Sequence, residues 1–394
     1  MELNEKTITE SFKKIFDTTD EPMIVRSPGR VNIIGEHTDY NDGFVLPAAI
    51  DKSAYVAVTK RNDNIVSLFA TDFDEAHETT LDHIAKTDKH WPDYILGIVD
   101  QLQKTNAPIT GFNLLVAADI PIGAGLSSSA ALECASVFAL NELFGLQLTK
   151  AEMAHIAQHA EHEFAGVKCG VMDMFASLFG KKDHVINLDC RSLFYEYVPL
   201  KLNGYKLLLL NTNVKHKLSS SEYNTRRQQC EQGVAWVKER VPAVKALRDI
   251  TSDMLDKYVL PRNMLIYQRC KYVVDEDNRL LQACADLKKG DIHALGKKMF
   301  ATHDGLSKEY EVSCKELDFL VDHVRNNKAV LGARMMGGGF GGCTINIVKE
   351  EAIEKLVEEL APAYKAATGL DLSYYVASLE DGTRVISKKE PAHV

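Results

Sequence analysis

Residues 121–131 form a glycine-rich turn that leads into an apolar helix, and they have the sequence Pro121-Ile-Gly-Ala-Gly-Leu-Ser-Ser-Ser-Ala-Ala131. The strand-like segment Phe112–Ala118 comes before the turn, so the predicted order is strand, loop, helix. Glycines let a backbone approach a ligand closely and adopt positive φ angles. The first amides of a helix lack internal partners, and the helix dipole favours an anion there. The segment therefore predicts a binding loop for phosphate.

The same residues also fit a simpler interpretation, an ordinary loop with a serine N-cap. The loop is not a P-loop, because no Gly-Lys-Ser/Thr sequence ends it. If it binds phosphate, the neutralising charge must come from Mg²⁺ and from residues elsewhere in the chain.

The composition is that of an ordinary globular protein, with 394 residues, 45% hydrophobic and 26% charged. A net charge of −9 without a basic block argues against nucleic acid as a partner. No apolar run approaches the roughly 20 residues that span a bilayer, and the charged N-terminus is unlike a signal peptide. The eight cysteines are scattered singly, as expected of reduced thiols. We expect a cytoplasmic protein that does not bind membranes.

The periodicity of the chain predicts an α+β fold rather than a regular alternation of strands and helices. A boundary near Leu200 would separate residues 1–200 from residues 201–394. Long amphipathic helices are predicted in the second half, and Asp381-Gly382 is typical of a hairpin turn between closing strands. Predicted strands are 23–25, 53–59, 65–70, 112–118, 185–188, 205–211, 344–348 and 374–378.

A second informative segment covers residues 27–43, Ser27-Pro-Gly-Arg-Val-Asn-Ile-Ile-Gly-Glu-His-Thr-Asp-Tyr-Asn-Asp-Gly43. Arg30 follows a Pro-Gly turn, and Glu36, His37 and Asp39 lie within four positions of one another. Such a cluster of donors and acceptors suits sugar hydroxyls, each of which needs both. A solvated turn and a metal site are alternatives for the same residues.

A third segment, residues 161–175, places Asp173 as a lone carboxylate in an apolar run. Burial of such a group is costly unless it is paired or functional. Glu161 lies upstream on a predicted helix and could reach a metal ion. His155, His159 and His162 share a helical face and could resemble a zinc site, but no carboxylate or cysteine completes such a site on that face, so solvated histidines fit better.

The fourth segment is Leu331-Gly-Ala-Arg-Met-Met-Gly-Gly-Gly-Phe-Gly-Gly-Cys343. It contains G-x-G-x-x-G, but a strand rather than a helix is predicted after it, which excludes a Rossmann motif. So many glycines indicate close approach of backbones or of a ligand.

Together these segments resemble the three motifs of the GHMP small-molecule kinases, and residues 27–43 resemble the galactokinase signature within that family. The resemblance implies a ribosomal protein S5 domain 2-like N-terminal domain, a ferredoxin-like C-terminal domain and an active site in the cleft between them. It also implies ATP-dependent phosphorylation of α-D-galactose at the C1 hydroxyl, with Mg²⁺, as the first committed step of galactose catabolism. We expect a monomer.

The resemblance further implies roles for individual residues. Arg30 and Asp173 match the catalytic pair. The implied galactose contacts are Glu36, His37, Thr38, Asp39, Gly170, Asp173 and Tyr223. The implied ATP phosphate loop consists of Gly123, Ala124, Gly125, Leu126, Ser127, Ser128 and Ser129. Trp91 matches an adenine-side position, and the implied Mg²⁺ ligands are Ser129 and Glu161.

Two positions depart from the galactokinase pattern. Met174 stands where glutamine is usual, and Met336 stands where threonine is usual. Neither replaces a residue with an implied chemical role. Two other functions fit the resemblance: a non-catalytic galactose and ATP sensor, or a kinase for a related sugar such as N-acetylgalactosamine. A galactokinase-like sensor lacks two residues of the Ser-Ser-Ser-Ala region, which is intact here.

Overall fold

The computed structural model describes residues 3–121, 123–214 and 219–387. The strands are β1 Met23–Asn32, β2 Phe44–Val45, β3 Pro47–Lys60, β4 Ile65–Ala70, β5 Glu75–Thr80, β6 Phe112–Ala118, β7 His184–Asp189, β8 Tyr195–Pro199, β9 Tyr205–Asn211, β10 Val330–Met335, β11 Cys343–Lys349, β12 Ser373–Ala377 and β13 Arg384–Ser387. The α-helices are α1 Glu5–Ile15, α2 Asp93–Lys104, α3 Ser128–Phe144, α4 Lys150–Ala160, α5 Met172–Phe179, α6 Ser219–Lys238, α7 Ser252–Tyr258, α8 Met264–Lys288, α9 Ile292–Lys308, α10 Lys315–Val324 and α11 Ile353–Thr368.

The first half of the chain is built on a six-stranded sheet with the order β13-β1-β3-β6-β4-β5. Neighbouring strands are antiparallel except β4 and β6, which are parallel. Helix α3 packs on β1 and β3 and is surrounded by α2, α4 and α5. Its apolar residues therefore extend around the whole helix, as expected of a helix in the centre of a core.

The second half contains a four-stranded antiparallel sheet with the order β10-β11-β9-β12. Its central strand β9 carries the run Leu207 to Leu210, and all four leucines are buried. Leu208 and Leu210 pack with residues of α10 and α11, whereas Leu207 and Leu209 join a core shared with the first half. A continuous apolar run is what a strand covered on both faces requires.

The closing hairpin predicted at Asp381-Gly382 is wrong. Strand β12 pairs with β9, but β13 crosses to the other sheet and pairs with β1. Gly382 donates a hydrogen bond to the carbonyl of Gly180, at 2.8 Å, so this glycine allows close packing against the first half instead of a turn. The boundary near Leu200 stays a prediction. Strand β13, which comes after that boundary in the chain, returns to the sheet of the first half.

Several local predictions are confirmed. Helix α3 ends at Phe144 as predicted, and α4 begins with the expected capping box, in which Thr149 and Glu152 exchange hydrogen bonds. Within the described part of the chain, no helix is both long and apolar enough to cross a membrane.

Candidate active site

A cavity of about 230 Å³ lies between the two halves. It is lined by residues from β1, the loop after β1, the start of α5, α6 and the turn between β10 and β11. The lining residues are Arg30, Glu36, His37, Asp39, Glu161, Val167, Cys169, Met172, Asp173, Tyr223, Gly337 and Gly338. The structure thus brings together seven residues to which the sequence gave a role, namely Arg30, Glu36, His37, Asp39, Glu161, Asp173 and Tyr223.

The central feature of the cavity is a two-point ion pair between Arg30 and Asp173. Arg30 Nε donates to Asp173 Oδ1 at 2.8 Å, and Arg30 Nη2 donates to Oδ2 at 3.0 Å. Arg30 is only 5% exposed, on β1, whereas Asp173 lies in the first turn of α5. Burial lowers the pKa of Arg30, but the charges of Asp173, Glu36 and Asp39 outweigh it and the pKa is raised overall. Arg30 therefore keeps its positive charge in this buried position.

Ser127 adds a third hydrogen bond to the same carboxylate, with its Oγ donating to Asp173 Oδ2 at 2.6 Å. The sequence assigned Ser127 to the phosphate loop only, so this contact was not predicted. Ser127 has φ +56 and forms no side-chain cap on α3, which argues against the simple N-cap interpretation. Asp173 is thus held by both the strand and the phosphate loop.

The phosphate loop alternates between buried anchors and residues that face outward. Ala124 and Leu126 are buried in the core shared by the two halves. Between them, Gly123 and Gly125 have φ +75 and +72, values that favour glycine. Arg30 fixes the loop further, because its Nη1 donates to the Gly125 carbonyl at 2.6 Å. Ile122, in the predicted loop, lies outside the described residues.

Asp39 lines the predicted sugar-side wall of the cavity, together with Glu36, His37 and Tyr223, and is in close contact with Gly170. A Cβ atom at position 170 would overlap with the Asp39 carboxylate, so the close approach requires glycine. Burial, followed by the nearby charge of Asp173, raises the pKa of Asp39 to about 7.

Glu36 is held by an arginine from the second half of the chain. Arg334 Nη1 lies 2.7 Å from Glu36 Oε2, although the angles are not those of a hydrogen bond. Arg334 is fully buried and also donates to the Ile33 carbonyl at 2.9 Å. No role was predicted for Arg334. It could have been identified by the argument used for Asp173, because a charged side chain in an apolar segment needs a partner when it is buried.

His37 faces the cavity as a neutral imidazole. Burial, with the positive charge of Arg226, lowers its pKa to about 3. Its Nδ1 is hydrogen-bonded to Tyr40 Oη at 2.8 Å, and the ring of Tyr223 lies 5.4 Å away. Nε2 has no hydrogen-bond partner of good geometry among the described residues, although the Gly338 backbone is close enough to raise the pKa slightly.

Ser129 and Glu161 form the predicted cation-binding pair. Ser129 Oγ donates to Glu161 Oε1 at 3.0 Å. Burial and the charge of Asp173 raise the pKa of Glu161 to about 7. Glu133, one helical turn after Ser129, is fully buried, and neither of its carboxylate oxygens has a hydrogen-bond partner in the described part of the chain. Hydroxyl and carboxylate oxygens next to excess negative charge fit Mg²⁺.

Among the residues that the structure describes, no three histidine, cysteine, aspartate or glutamate side chains form a complete metal site. An ion beside Glu161 would therefore complete its shell with phosphate oxygens and water. The zinc alternative on α4 is not supported, because His162 Nε2 is instead bonded to the Cys169 carbonyl at 2.8 Å.

Several residues named from the sequence do not line the cavity, among them Gly170, the phosphate loop, Thr38 and Trp91. Thr38 is fully buried, and its hydroxyl donates to the backbone carbonyl of Gly35 at 3.0 Å. Trp91 is buried before α2, where its Nε1 donates to Glu75 Oε2 at 3.0 Å. Met174 is fully buried on α5, and Met336 places its sulfur 3.4 Å from the backbone nitrogen of Asn32. Neither methionine departure changes a group that lines the cavity.

Three family models match the chain. The galactokinase galactose-binding signature matches residues 10–60, the GHMP kinases N terminal domain matches residues 93–181, and the GHMP kinases C terminal model matches residues 283–366.

Similar proteins cover nearly the whole chain. A galactokinase of Thermotoga maritima is 44% identical over 365 residues, which is 92% of this chain and 100% of the relative. A galactokinase of Roseiflexus sp. is 40% identical and covers 94% of each chain. The crystal structure of Lactococcus lactis galactokinase complexed with galactose has a TM-score of 0.93 and 34% identity, over 97% of this chain and 99% of that chain. A mevalonate kinase structure, with a TM-score of 0.62 and 21% identity, shares the fold. Since relatives this similar extend over nearly the full length, the chain belongs to the galactokinase family of GHMP kinases.

Proposed function

We propose that this protein transfers the γ-phosphoryl group of ATP to the C1 hydroxyl of α-D-galactose, giving α-D-galactose 1-phosphate and ADP, the first committed step of galactose catabolism. The observation that carries the proposal is the position of Asp173. Its carboxylate is held by Arg30 and by Ser127 of the phosphate loop, and it lines the cavity that also contains the sugar-side residues. A sugar hydroxyl in this cavity would lie between a proton acceptor and the phosphates of ATP.

Phosphoryl transfer depends on positioning and on neutralising charge more than on covalent chemistry. Asp173 accepts the proton of the C1 hydroxyl, or orients that hydroxyl for attack. Arg30 holds the Asp173 carboxylate in place through the two-point pair, and its charge stabilises the transferring group. The backbone amides of residues 123–129, at the start of α3, bind the ATP phosphates.

Ser129 and Glu161 would hold Mg²⁺, which supplies positive charge to the phosphates in place of the lysine of a P-loop. The raised pKa of Glu161 reflects a buried carboxylate close to other carboxylates, and a bound cation would offset that repulsion. The assignment of Trp91 to the adenine side and the expectation of a monomer stay predictions.

The sugar-side wall explains selectivity for galactose. Glu36, His37 and Asp39 provide donors and acceptors in a buried setting, with Gly170 leaving room for Asp39 and Tyr223 closing the wall. A sugar with a misplaced hydroxyl would leave some of these buried groups unpaired, which is costly.

The two alternative functions make different predictions. A galactose and ATP sensor would bind both ligands without turnover, but the intact residues 127–131 and the formed Arg30–Asp173 pair favour catalysis. A kinase for N-acetylgalactosamine would need space for the larger substituent beside the cavity wall.

The test is ADP release by the purified protein with ATP, Mg²⁺ and one of four acceptors: galactose, glucose, N-acetylgalactosamine or mevalonate. We expect rapid release with galactose and slow release with the other three. Absence of release with galactose, despite binding measured by calorimetry, would favour the sensor. Faster ADP release with N-acetylgalactosamine than with galactose would show that N-acetylgalactosamine is the preferred substrate.

A further inference from the structure

A chain of hydrogen bonds runs from His37 into the second half of the molecule. His37 Nδ1 is bonded to Tyr40 Oη at 2.8 Å, and Tyr40 Oη is bonded to Tyr310 Oη at 2.8 Å. Cys230 Sγ, on α6, lies 3.2 Å from Tyr310 Oη. His37, Tyr310 and Cys230 are buried, at 4%, 0% and 0% exposure, and Tyr40 between them is partly buried.

The chain allows two arrangements of protons. Because each phenol donates only one hydrogen bond, the bonds between His37 and the two tyrosines run in a single direction when every phenolic proton stays within the chain. In the first arrangement Tyr310 donates to Tyr40, Tyr40 donates to His37 Nδ1, and the imidazole proton sits on Nε2. In the second every bond is reversed, the proton sits on Nδ1, and Nε2 is an acceptor.

The chemistry of Cys230 favours the first arrangement. In the second, Tyr310 would have to donate to the sulfur of Cys230, which is a weak acceptor, whereas in the first the Cys230 thiol donates to the Tyr310 oxygen. Burial raises the pKa of that thiol to about 11, so the thiol proton is present.

His37 is also held in an unusual backbone conformation. Its φ of +63 lies in the left-handed region that a side chain seldom adopts. Asn41 Nδ2 donates to the His37 carbonyl at 3.0 Å and fixes this conformation. Since Nδ1 meets Tyr40, Nε2 is the ring nitrogen left without a hydrogen-bond partner among the described residues, in a side chain that lines the cavity.

We infer that Tyr310 is a positioning residue for sugar recognition: through Tyr40 it keeps the imidazole proton of His37 on Nε2, where it donates a hydrogen bond to one hydroxyl of the sugar. The inference rests on the proposed function, because it takes galactose as the occupant of the cavity. Tyr310 itself is not among the residues that line the cavity. Tyr310 acts by fixing which ring nitrogen of His37 carries the proton. An imidazole without a fixed tautomer could either donate to a sugar hydroxyl or accept from it, and would therefore be less selective.

The variant that tests this inference is Tyr310→Phe, which keeps the ring beside His37, 5.0 Å away, and removes the hydroxyl. We expect the dissociation constant for galactose, measured by calorimetry, to rise about 10-fold, as for one lost hydrogen bond. The KM for ATP should not change. The same measurement is made with 2-, 3-, 4- and 6-deoxygalactose, one of which lacks the hydroxyl bound by His37. For that analogue, the loss of affinity relative to galactose should be smaller in the variant than in the wild type.

Nitrogen-15 NMR of the imidazole gives a readout that a purely structural role would not change. With histidine labelled and the His37 signals assigned by their loss in His37→Gln, the wild type should show a protonated Nε2 and an unprotonated Nδ1. Tyr310→Phe should shift these signals towards a mixture of tautomers. If Tyr310→Phe does not fold, Tyr40→Phe interrupts the same chain one bond closer to His37.

The matched control is Tyr364→Phe, on α11. Tyr364 is also fully buried, and its hydroxyl donates to the Thr212 carbonyl at 2.8 Å, away from the cavity wall. It should lose similar stability but keep its galactose affinity. Unchanged imidazole signals and unchanged galactose affinity in Tyr310→Phe would overturn the inference while leaving the proposed function intact. Absence of galactose binding and turnover in the wild type would instead overturn the proposed function, and the imidazole signals would still decide the proton position.

Discussion

The two loops that meet at the cavity are held in opposite ways. The sugar-side loop, residues 35–44, is fixed by side chains of the second half: Glu276 accepts from the Gly35 amide and Asp277 accepts from the Phe44 amide, each at 2.8 Å. The phosphate loop, residues 123–129, is instead held by Arg30 of the first half, whose amide donates to the Leu126 carbonyl at 3.1 Å and whose Nη1 donates to the Gly125 carbonyl at 2.6 Å.

This difference fits the two ligands that we propose for the loops. A sugar is recognised by the positions of its hydroxyls, so the groups that contact it must be rigid and buried. A triphosphate is recognised by charge, for which exposed backbone amides and a cation suffice. The comparison predicts that changes in the sugar-side loop alter affinity for galactose, whereas changes at Asp173, between the loops, alter the rate.

The largest effect is expected for Asp173→Asn, which removes the proton acceptor but keeps the size of the side chain. We expect kcat to fall about 100-fold or more, in the range of general-base loss, while the dissociation constant for galactose changes little. Steady-state kinetics and calorimetry measure the two quantities separately.

The matched control is Asp63→Asn, because Asp63 forms a similar two-point pair with Arg61, at 2.9 and 2.7 Å, but does not line the cavity. Its kcat should equal that of the wild type. Near-normal turnover in Asp173→Asn would contradict the conclusion that Asp173, between the two loops, determines kcat.

A smaller effect, on affinity, is expected for Gly170→Ala. The new Cβ would overlap with the Asp39 carboxylate and displace it from the sugar-side wall. We expect the KM for galactose to rise about 10-fold or more, as for a lost hydrogen bond to a charged group, with an unchanged KM for ATP. Parallel changes in both KM values would show that the two loops are not independent.

Gly166→Ala serves as the control for Gly170→Ala. Gly166 also lies between α4 and α5, at φ +76, but a Cβ there would meet nothing within 4 Å. This variant should lose about 1 kcal/mol of stability from backbone strain and keep its galactose KM.

The smallest effect is expected beside the phosphate loop, where Glu133→Gln should change the pH dependence of stability. Burial raises the pKa of Glu133 well above its ordinary 4.5, so the folded protein binds a proton that the unfolded chain releases above this pH. The free energy of unfolding of the wild type therefore falls, relative to Glu133→Gln, as the pH rises above 4.5, by at most about 1.4 kcal/mol per pH unit. Urea unfolding of both proteins between pH 4.5 and 8 measures the difference. Parallel curves would show that Glu133 is not an unpaired carboxylate in the fold.

The elements that the sequence predicted are those with a local apolar pattern. Strand β6 and helix α3 were predicted at their observed bounds. Strand β5 was not, because Glu75–Thr80 is largely polar and lies at the edge of its sheet, where only one neighbour and little burial define it. Strand β13 was misplaced, because pairing across the molecule leaves no local signal.

The candidate site shows the same limit. The residue types at positions 30, 36, 37, 39 and 173 indicated their chemistry, since a charge in an apolar segment needs a partner. The identity of the partners could not be predicted. Arg334 beside Glu36 and Tyr310 behind Tyr40 are brought there by packing between residues roughly 300 positions apart in the chain.

Phosphorus NMR of the complete reaction tests the central claim most directly. The wild-type protein is incubated with ATP, Mg²⁺ and galactose, and the products are identified from their phosphorus signals. The account predicts ADP together with an equal amount of one sugar phosphate, whose phosphorus is coupled to the C1 proton of galactose. Unchanged ATP, ADP with only inorganic phosphate, or a phosphate on another hydroxyl would contradict it.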